Sequence, residues 1–187
     1  MKMRLFVGIA LDPALTDALK RLTASLRRAG DGLRWSSPES WHITLQFLGA
    51  TDPQCYESLL ARLSEIHRPP LAIHLGVPDV FERAGVFHIG VLPSQHLTAL
   101  ERHVVAATAL CGIRPEDHPY HPHITLVRSK GHEGRRGLHA LLEHLHSPHT
   151  LPSFTAHEFL LYQSLPTPTG SRYEIRARFP LSSPPAQ

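Results

Sequence analysis

The sequence predicts an α+β fold with largely antiparallel sheets, and three observations predict it. Strand-like and helix-like stretches interleave along the chain, with short hairpins joining some of the strands. The tetrapeptide His-Ile-Thr-Leu occurs at His42 to Leu45 and again at His123 to Leu126, an offset of 123 − 42 = 81 residues, and each copy follows a long amphipathic helix. Finally, 187 residues at 42% hydrophobic and 19% charged suffice for one domain, or for two half-size lobes sharing a core, but not for two independent domains.

The elements follow in order. Leu5, Val7 and Ile9 alternate with Phe6, Gly8 and Ala10 as a first strand, and Asp12-Pro13 caps a helix whose Leu15, Leu19, Leu22 and Leu26 recur at helical spacing. Gly30 and Gly32 end that helix before a short strand, Leu33 to Trp35, and a turn at Ser37-Pro38. His42 to Leu48 reads as a strand, and Asp52-Pro53 repeats the cap signature ahead of a helix reaching Ile66. Leu71, Ile73 and Leu75 alternate, Ala84-Gly85 turns the chain into Val86 to Leu92, and Ser94 caps a third helix through Leu97, Leu100, Val104 and Ala107 to Gly112. A Pro- and His-rich loop, Pro115 to Pro122, leads into the strand His123 to Val127. A polar Gly-rich loop and a fourth helix around Leu138 to Leu145 come next. Strands Phe154 to Gln163 and Tyr173 to Phe179 flank a turn at Pro166 to Gly170, so one domain spans 1–180 and Leu181 to Gln187 forms a loose tail.

Composition excludes several classes. Net charge is +3, and 16 of the 19 basic residues are Arg, which suits an anionic substrate; no clustered basic stripe of the kind that grips a duplex is visible. Cys55 and Cys111 are too few for a disulfide framework and both fall in expected helices, which fits a reducing, cytoplasmic setting. The apolar run Leu5 to Leu11 is too short for a leader or a span and stops at Asp12-Pro13, so no membrane partner is expected. Nothing suggests an extensive interface, and a monomer is expected.

The repeat carries the chemistry. Side chains two apart on a strand share a face, so His42 and Thr44 point one way while Ile43 and Leu45 point into the core, and His123 with Thr125 does likewise. If a pseudo-two-fold axis relates the halves, the two pairs converge on one cleft. Such a site suits in-line displacement at phosphorus, one imidazole taking a proton from the attacking water while the other protonates the departing oxygen. Histidine titrates near neutrality, so one partner can start as base and the other as acid. The threonine hydroxyls would hold nonbridging phosphoryl oxygens, and the chemistry calls for no metal or other cofactor.

Trp41-His42-Ile43-Thr44-Leu45-Gln46-Phe47-Leu48-Gly49 and Tyr120-His121-Pro122-His123-Ile124-Thr125-Leu126-Val127-Arg128 resemble the paired signatures of the 2H phosphoesterase superfamily. The nearest branch is RNA 2′,3′-cyclic phosphodiesterase, also called 2′-5′ RNA ligase, whose N-terminal pattern resembles Arg4 to Ala10 and whose Arg-Trp lead-in resembles Arg34-Trp35. The resemblance implies a bilobal pseudo-two-fold fold, an antiparallel sheet flanked by helices in each lobe, and a cleft between the lobes. It implies an RNA end bearing a 2′,3′-cyclic phosphate as substrate and a 2′-phosphomonoester as product, with His42 as acid to O3′, His123 as base to water, and the reverse 2′-5′ ligation available to the same groups. It also implies that the nucleobase stacks between Phe47 and Arg128. Each lies five residues after its histidine, so strand parity puts both on the wrong face unless the strands end or bulge just beyond the threonines.

Two other classes compete with this one. Of 15 histidines, nine fall between His118 and His157, and His118, His121 and His123 have plausible ligand spacing; yet no His-Glu-x-x-His or cysteine cluster accompanies them, and His139, His144, His146 and His149 scatter around the fourth helix and its end. A His-rich metal hydrolase is therefore the weaker alternative, and a nucleotide-binding module without turnover is another. His67, His74, His88, His96 and His103 read as solvated or locally bonded, and Trp35, Trp41 and Phe81 as packing residues.

Overall fold

The computed structural model describes residues 2–27, 33–129, 131–145, 151–168 and 170–182, without the side chains at 131–133 and 135. It contains strands β1 (Met3–Ala10), β2 (Leu33–Trp35), β3 (His42–Thr51), β4 (Leu71–Ile73), β5 (Leu75–Phe81), β6 (Val86–Val91), β7 (His123–Ser129), β8 (Phe154–Ala156), β9 (Glu158–Thr167) and β10 (Gly170–Pro180). Helices are α1 (Pro13–Leu26), α2 (Pro53–Ser64), α3 (Gln95–Ala109) and α4 (Gly131–His144), with a 3-10 turn at Pro38–Ser40. Among the described residues no helix is long and apolar enough to cross a membrane.

The fold is bilobal α+β. One four-stranded sheet runs β10-β9-β1-β3 and the other β2-β7-β6-β5, every pairing antiparallel, with β4 and β8 forming a small two-stranded sheet. The halves of the chain are not simply the two sheets. β2, from the first half, pairs with β7, while β9 and β10, from the end of the chain, complete the sheet begun by β1 and β3. The exchange ties the halves together through backbone hydrogen bonds, and one continuous apolar core draws Val7, Ile43, Ile89, Leu126 and the inward leucines of α1 from both sheets.

Helix starts largely follow the expected rules. Asp12 Oδ1 accepts from the Leu15 amide at 2.8 Å and Ser94 Oγ from Leu97 at 3.1 Å, each satisfying a donor that the first helical turn leaves free. Asp52 departs from expectation: it makes no side-chain cap bond, and its carboxylate pairs with Lys2 at 3.6 Å. Gly30 and Gly32, expected to end α1, lie outside the described residues, as do His146 and His149.

Further boundaries differ, among them the strand expected through Leu71, Ile73 and Leu75, which splits at His74 because Leu71–Ile73 pairs with β8 and β5 with β6. α4 begins at Gly131, so the expected Gly-rich loop is already helical. The single strand expected from Phe154 to Gln163 breaks at His157, because Phe154–Ala156 pairs with β4 whereas β9 pairs with β1 and β10. Cys111 lies in the turn beyond α3 and not in the helix, with its amide bonded to Thr108 O. Leu181, expected in the loose tail, is 5% exposed and its amide donates to His157 O at 2.8 Å; residues 183–187 lie outside the described residues.

Candidate active site

Both His-Ile-Thr-Leu copies open strands, and both strands carry the same irregularity. Along β1 and β3, Val7 faces Gln46 and Gly8 faces Thr44, which leaves Leu45 as an extra residue; along β6 and β7, Phe87 faces Val127 and His88 faces Thr125, which leaves Leu126 extra. The bulged residues are 126 − 45 = 81 apart, the offset of the motif itself. A bulge consumes one residue without advancing the pleat, so the alternation resets beyond it. Phe47 and Arg128 consequently return to the face that carries the histidines, and burial follows suit: Leu45 with Gln46 and Leu126 with Val127 are consecutive buried residues, followed by exposed Phe47 and Arg128.

A cavity of about 970 Å³ is lined by all six of the residues singled out from the sequence: His42, Thr44 and Phe47 from β3, and His123, Thr125 and Arg128 from β7. Both motif histidines are tied down the same way. His42 Nδ1 lies 2.7 Å from Ser40 O and His123 Nδ1 lies 2.7 Å from His121 O, so each Nδ1–H donates to a backbone carbonyl two residues back and leaves Nε2 as the working nitrogen. His42 Nε2 is 3.0 Å from Thr44 Oγ1, where the hydroxyl donates to the neutral ring.

The electrostatics favour neutral imidazoles in the free cleft. Burial lowers the His42 pKa to about 4, with repulsion from His123 and Arg128 adding to it and the Ser40 bond opposing it. Burial also lowers His123, aided by Arg128 and His121 and opposed by its own backbone bond. Around His42 the walls are aromatic: Phe6 at 4.6 Å between centroids, Tyr173 edge-on at 5.2 Å and Tyr162 at 5.8 Å. Gly8, opposite Thr44, leaves room for that ring, since a Cβ there would sit 3.5 Å from His42 Cδ2 and 2.8 Å from Ile43 O.

The model of the LigT-like phosphoesterase family matches this chain twice, over residues 9–88 and again over 89–173. The chain belongs to that family. As such it is a 2H phosphoesterase of the RNA 2′,3′-cyclic phosphodiesterase branch, and the two matched spans divide it as the repeated motif does. The RNA 2′,3′-cyclic phosphodiesterase of Bacillus subtilis is 37% identical over 100 residues, which span 51% of this chain and 55% of that relative. The one from Methanothermobacter thermautotrophicus is 30% identical over 182 residues, 92% of this chain and 96% of that one. The crystal structure of E. coli LigT complexed with 3′-AMP superposes with a TM-score of 0.80 at 24% identity, covering 98% of this chain and all of that one, a likeness of fold.

Several residues of this LigT-like phosphoesterase were not legible as site residues. Tyr120, in the aromatic lead-in to the second motif, donates its hydroxyl to Thr44 O across the lobes at 3.1 Å, and burial pushes its pKa well up, which keeps the phenol a donor. His88, expected to be solvated or locally bonded, is not solvated: it is 5% exposed, and burial lowers its pKa to about 4 against a hydrogen bond to the Val86 backbone. It sits on central β6 under Phe81, whose ring stacks on it at 3.9 Å, and 5.2 Å from His123. Phe81 packs as expected and also lines the cavity, 4.8 Å edge-on to His123. Trp41 is a core residue. No group of three His, Cys, Asp or Glu among the described residues is placed to hold a metal ion, and His118 pairs with Glu116 at 3.4 Å.

Proposed function

We propose that this chain hydrolyses RNA 2′,3′-cyclic phosphodiester ends to 2′-phosphomonoesters by two-histidine acid/base catalysis. The observation that carries the reading is the pair of imidazoles on one cavity, each with Nδ1 tied to a carbonyl and Nε2 left to act. His123 takes the proton of the attacking water while His42 gives one to O3′, the bond from phosphorus to O3′ breaking as the bond to the water oxygen forms. Thr44 and Thr125 hold the nonbridging oxygens, and the base lies between Phe47 and Arg128. Because the free cleft disfavours protonated imidazoles, the proton on His42 arrives with the anionic substrate, whose charge acts most strongly on the more deeply buried ring. With a 5′-hydroxyl in place of water, the same groups in the same roles would join a cyclic phosphate end to it as a 2′-5′ bond, O3′ again leaving.

Turnover of an oligonucleotide ending in a 2′,3′-cyclic phosphate, in the presence of chelator, tests the reading. His42→Ala and His123→Ala should each lower kcat by about 10²- to 10⁴-fold, and the product should carry its phosphate on O2′. The profile of kcat/KM should be a bell with its optimum below pH 6.5, because both free imidazoles titrate below that value. A 3′-phosphate product, or full activity in either variant, would overturn the assignment.

A further inference from the structure

Along β1 the main core takes Leu5 and Val7, which are 1% and 0% exposed, while Arg4 faces the cavity and Phe6, 2% exposed, lies at its edge in a small buried cluster with Leu160 and Tyr162. At a rise of about 3.4 Å per residue, Arg4 stands about 14 Å along the strand from Gly8, the residue beneath His42, with Phe6 midway. The intervening floor is aromatic, Phe6 stacking with Tyr162 at 4.8 Å and meeting Tyr173 edge-on at 5.0 Å. Ser164, which faces Tyr173 in the β9–β10 register, and Ser171 line the same end of the cavity. Neighbouring carboxylates are engaged elsewhere: Asp52 with Lys2, Glu174 with Arg172, Glu158 with Arg178. Glu116, the acidic residue that lines the cavity, comes from the loop before β7 and pairs with His118.

Phe6 pairs with Phe47 in the β1–β3 register, their rings 5.9 Å apart, so a mononucleotide with its phosphate at the histidines and its base at Phe47 and Arg128 would occupy that side and leave the shelf at Arg4, Ser164, Ser171 and Tyr173 unfilled, in a cavity of about 970 Å³ that lies near the top of the range for small-ligand sites. A guanidinium, two hydroxyls and aromatic rings are the groups that hold a phosphodiester and a stacked base. We propose that the shelf binds the nucleotide upstream of the cyclic phosphate, with Arg4 on the phosphate joining the two nucleotides. The inference rests on the cyclic-phosphate reading above.

The test compares a nucleoside 2′,3′-cyclic phosphate with a dinucleotide ending in the same group, using wild type, Arg4→Ala, Arg4→Lys and, as a cation outside the cavity, Arg172→Ala. Wild type should prefer the dinucleotide. Arg4→Ala should lower the dinucleotide-to-mononucleotide ratio of kcat/KM about fivefold to tenfold, Arg4→Lys should restore part of it, and Arg172→Ala should leave the ratio in place. The salt dependence of kcat/KM for the dinucleotide should be weaker in Arg4→Ala than in wild type, because one screened charge contact is lost. An equal loss on both substrates, no change in the ratio, or the same loss from Arg172→Ala would overturn the shelf. Binding of the corresponding 2′-phosphate products, measured in parallel, separates the two readings: absent turnover with an Arg4-dependent dinucleotide preference in binding would sink the hydrolase and keep the shelf.

Discussion

Acidification from pH 7 to pH 5 should cost the fold about 2 kcal/mol through His42 alone. The unfolded imidazole titrates near 6.5 and the folded one near 4, so between those values the unfolded chain binds more protons and stability falls with pH. The full gap is worth about 3.4 kcal/mol at 1.36 kcal/mol per pH unit; the contribution is fully present above 6.5 and lost progressively as pH falls toward 4. By pH 5 the unfolded ring is almost wholly protonated and the folded ring almost wholly neutral, which gives the figure of about 2 kcal/mol. Urea unfolding followed by the fluorescence of Trp35 and Trp41, at pH 7, 6 and 5, measures it. The variant His42→Gln keeps a polar side chain and removes the titration, so its stability should fall by about 2 kcal/mol less than the wild type's over the same interval. His88 and His123, also lowered by burial, titrate in both proteins and cancel in the comparison. Parallel curves for wild type and variant would refute the claim that the cleft holds His42 neutral by burying it.

Three further outcomes follow from packing and hydrogen bonding. Tyr120→Phe removes the cross-lobe donor to Thr44 O and should cost about 0.5–1.5 kcal/mol in chemical denaturation, the worth of one hydrogen bond, and lower kcat more than it raises KM. Gly8→Ala drives a Cβ to 2.8 Å from a backbone oxygen that cannot swing away, beside the His42 ring; thermal unfolding should show a loss of about 1–3 kcal/mol, and activity should fall with it. Thr108→Val deprives buried Gln46 Oε1 of its 2.7 Å donor and should cost about 1–3 kcal/mol, while Gln46→Leu with Thr108→Val should recover part of that loss in a double-mutant cycle, since no buried acceptor is then left unpaired.

Sequence alone determined most of the elements and the residues that meet at the candidate site. Alternation at Leu5 to Ile9, helical spacing in α1 and the Asp12 and Ser94 caps are local properties, so they survive into the structure nearly unaltered. The exact repeat of His-Ile-Thr-Leu named the residues that line the cleft, because parity within three residues fixes a shared face. Tertiary structure decided the rest. The bulges at Leu45 and Leu126 arise from pairing with β1 and β6, strands 35 or more residues away in sequence, and they alone bring Phe47 and Arg128 to the histidine face. Neither the Tyr120 bond across the lobes, nor the burial of His88 beneath Phe81, nor the passage of β9 and β10 into the first sheet has a local signal, since each joins segments that only long-range pairing brings into contact.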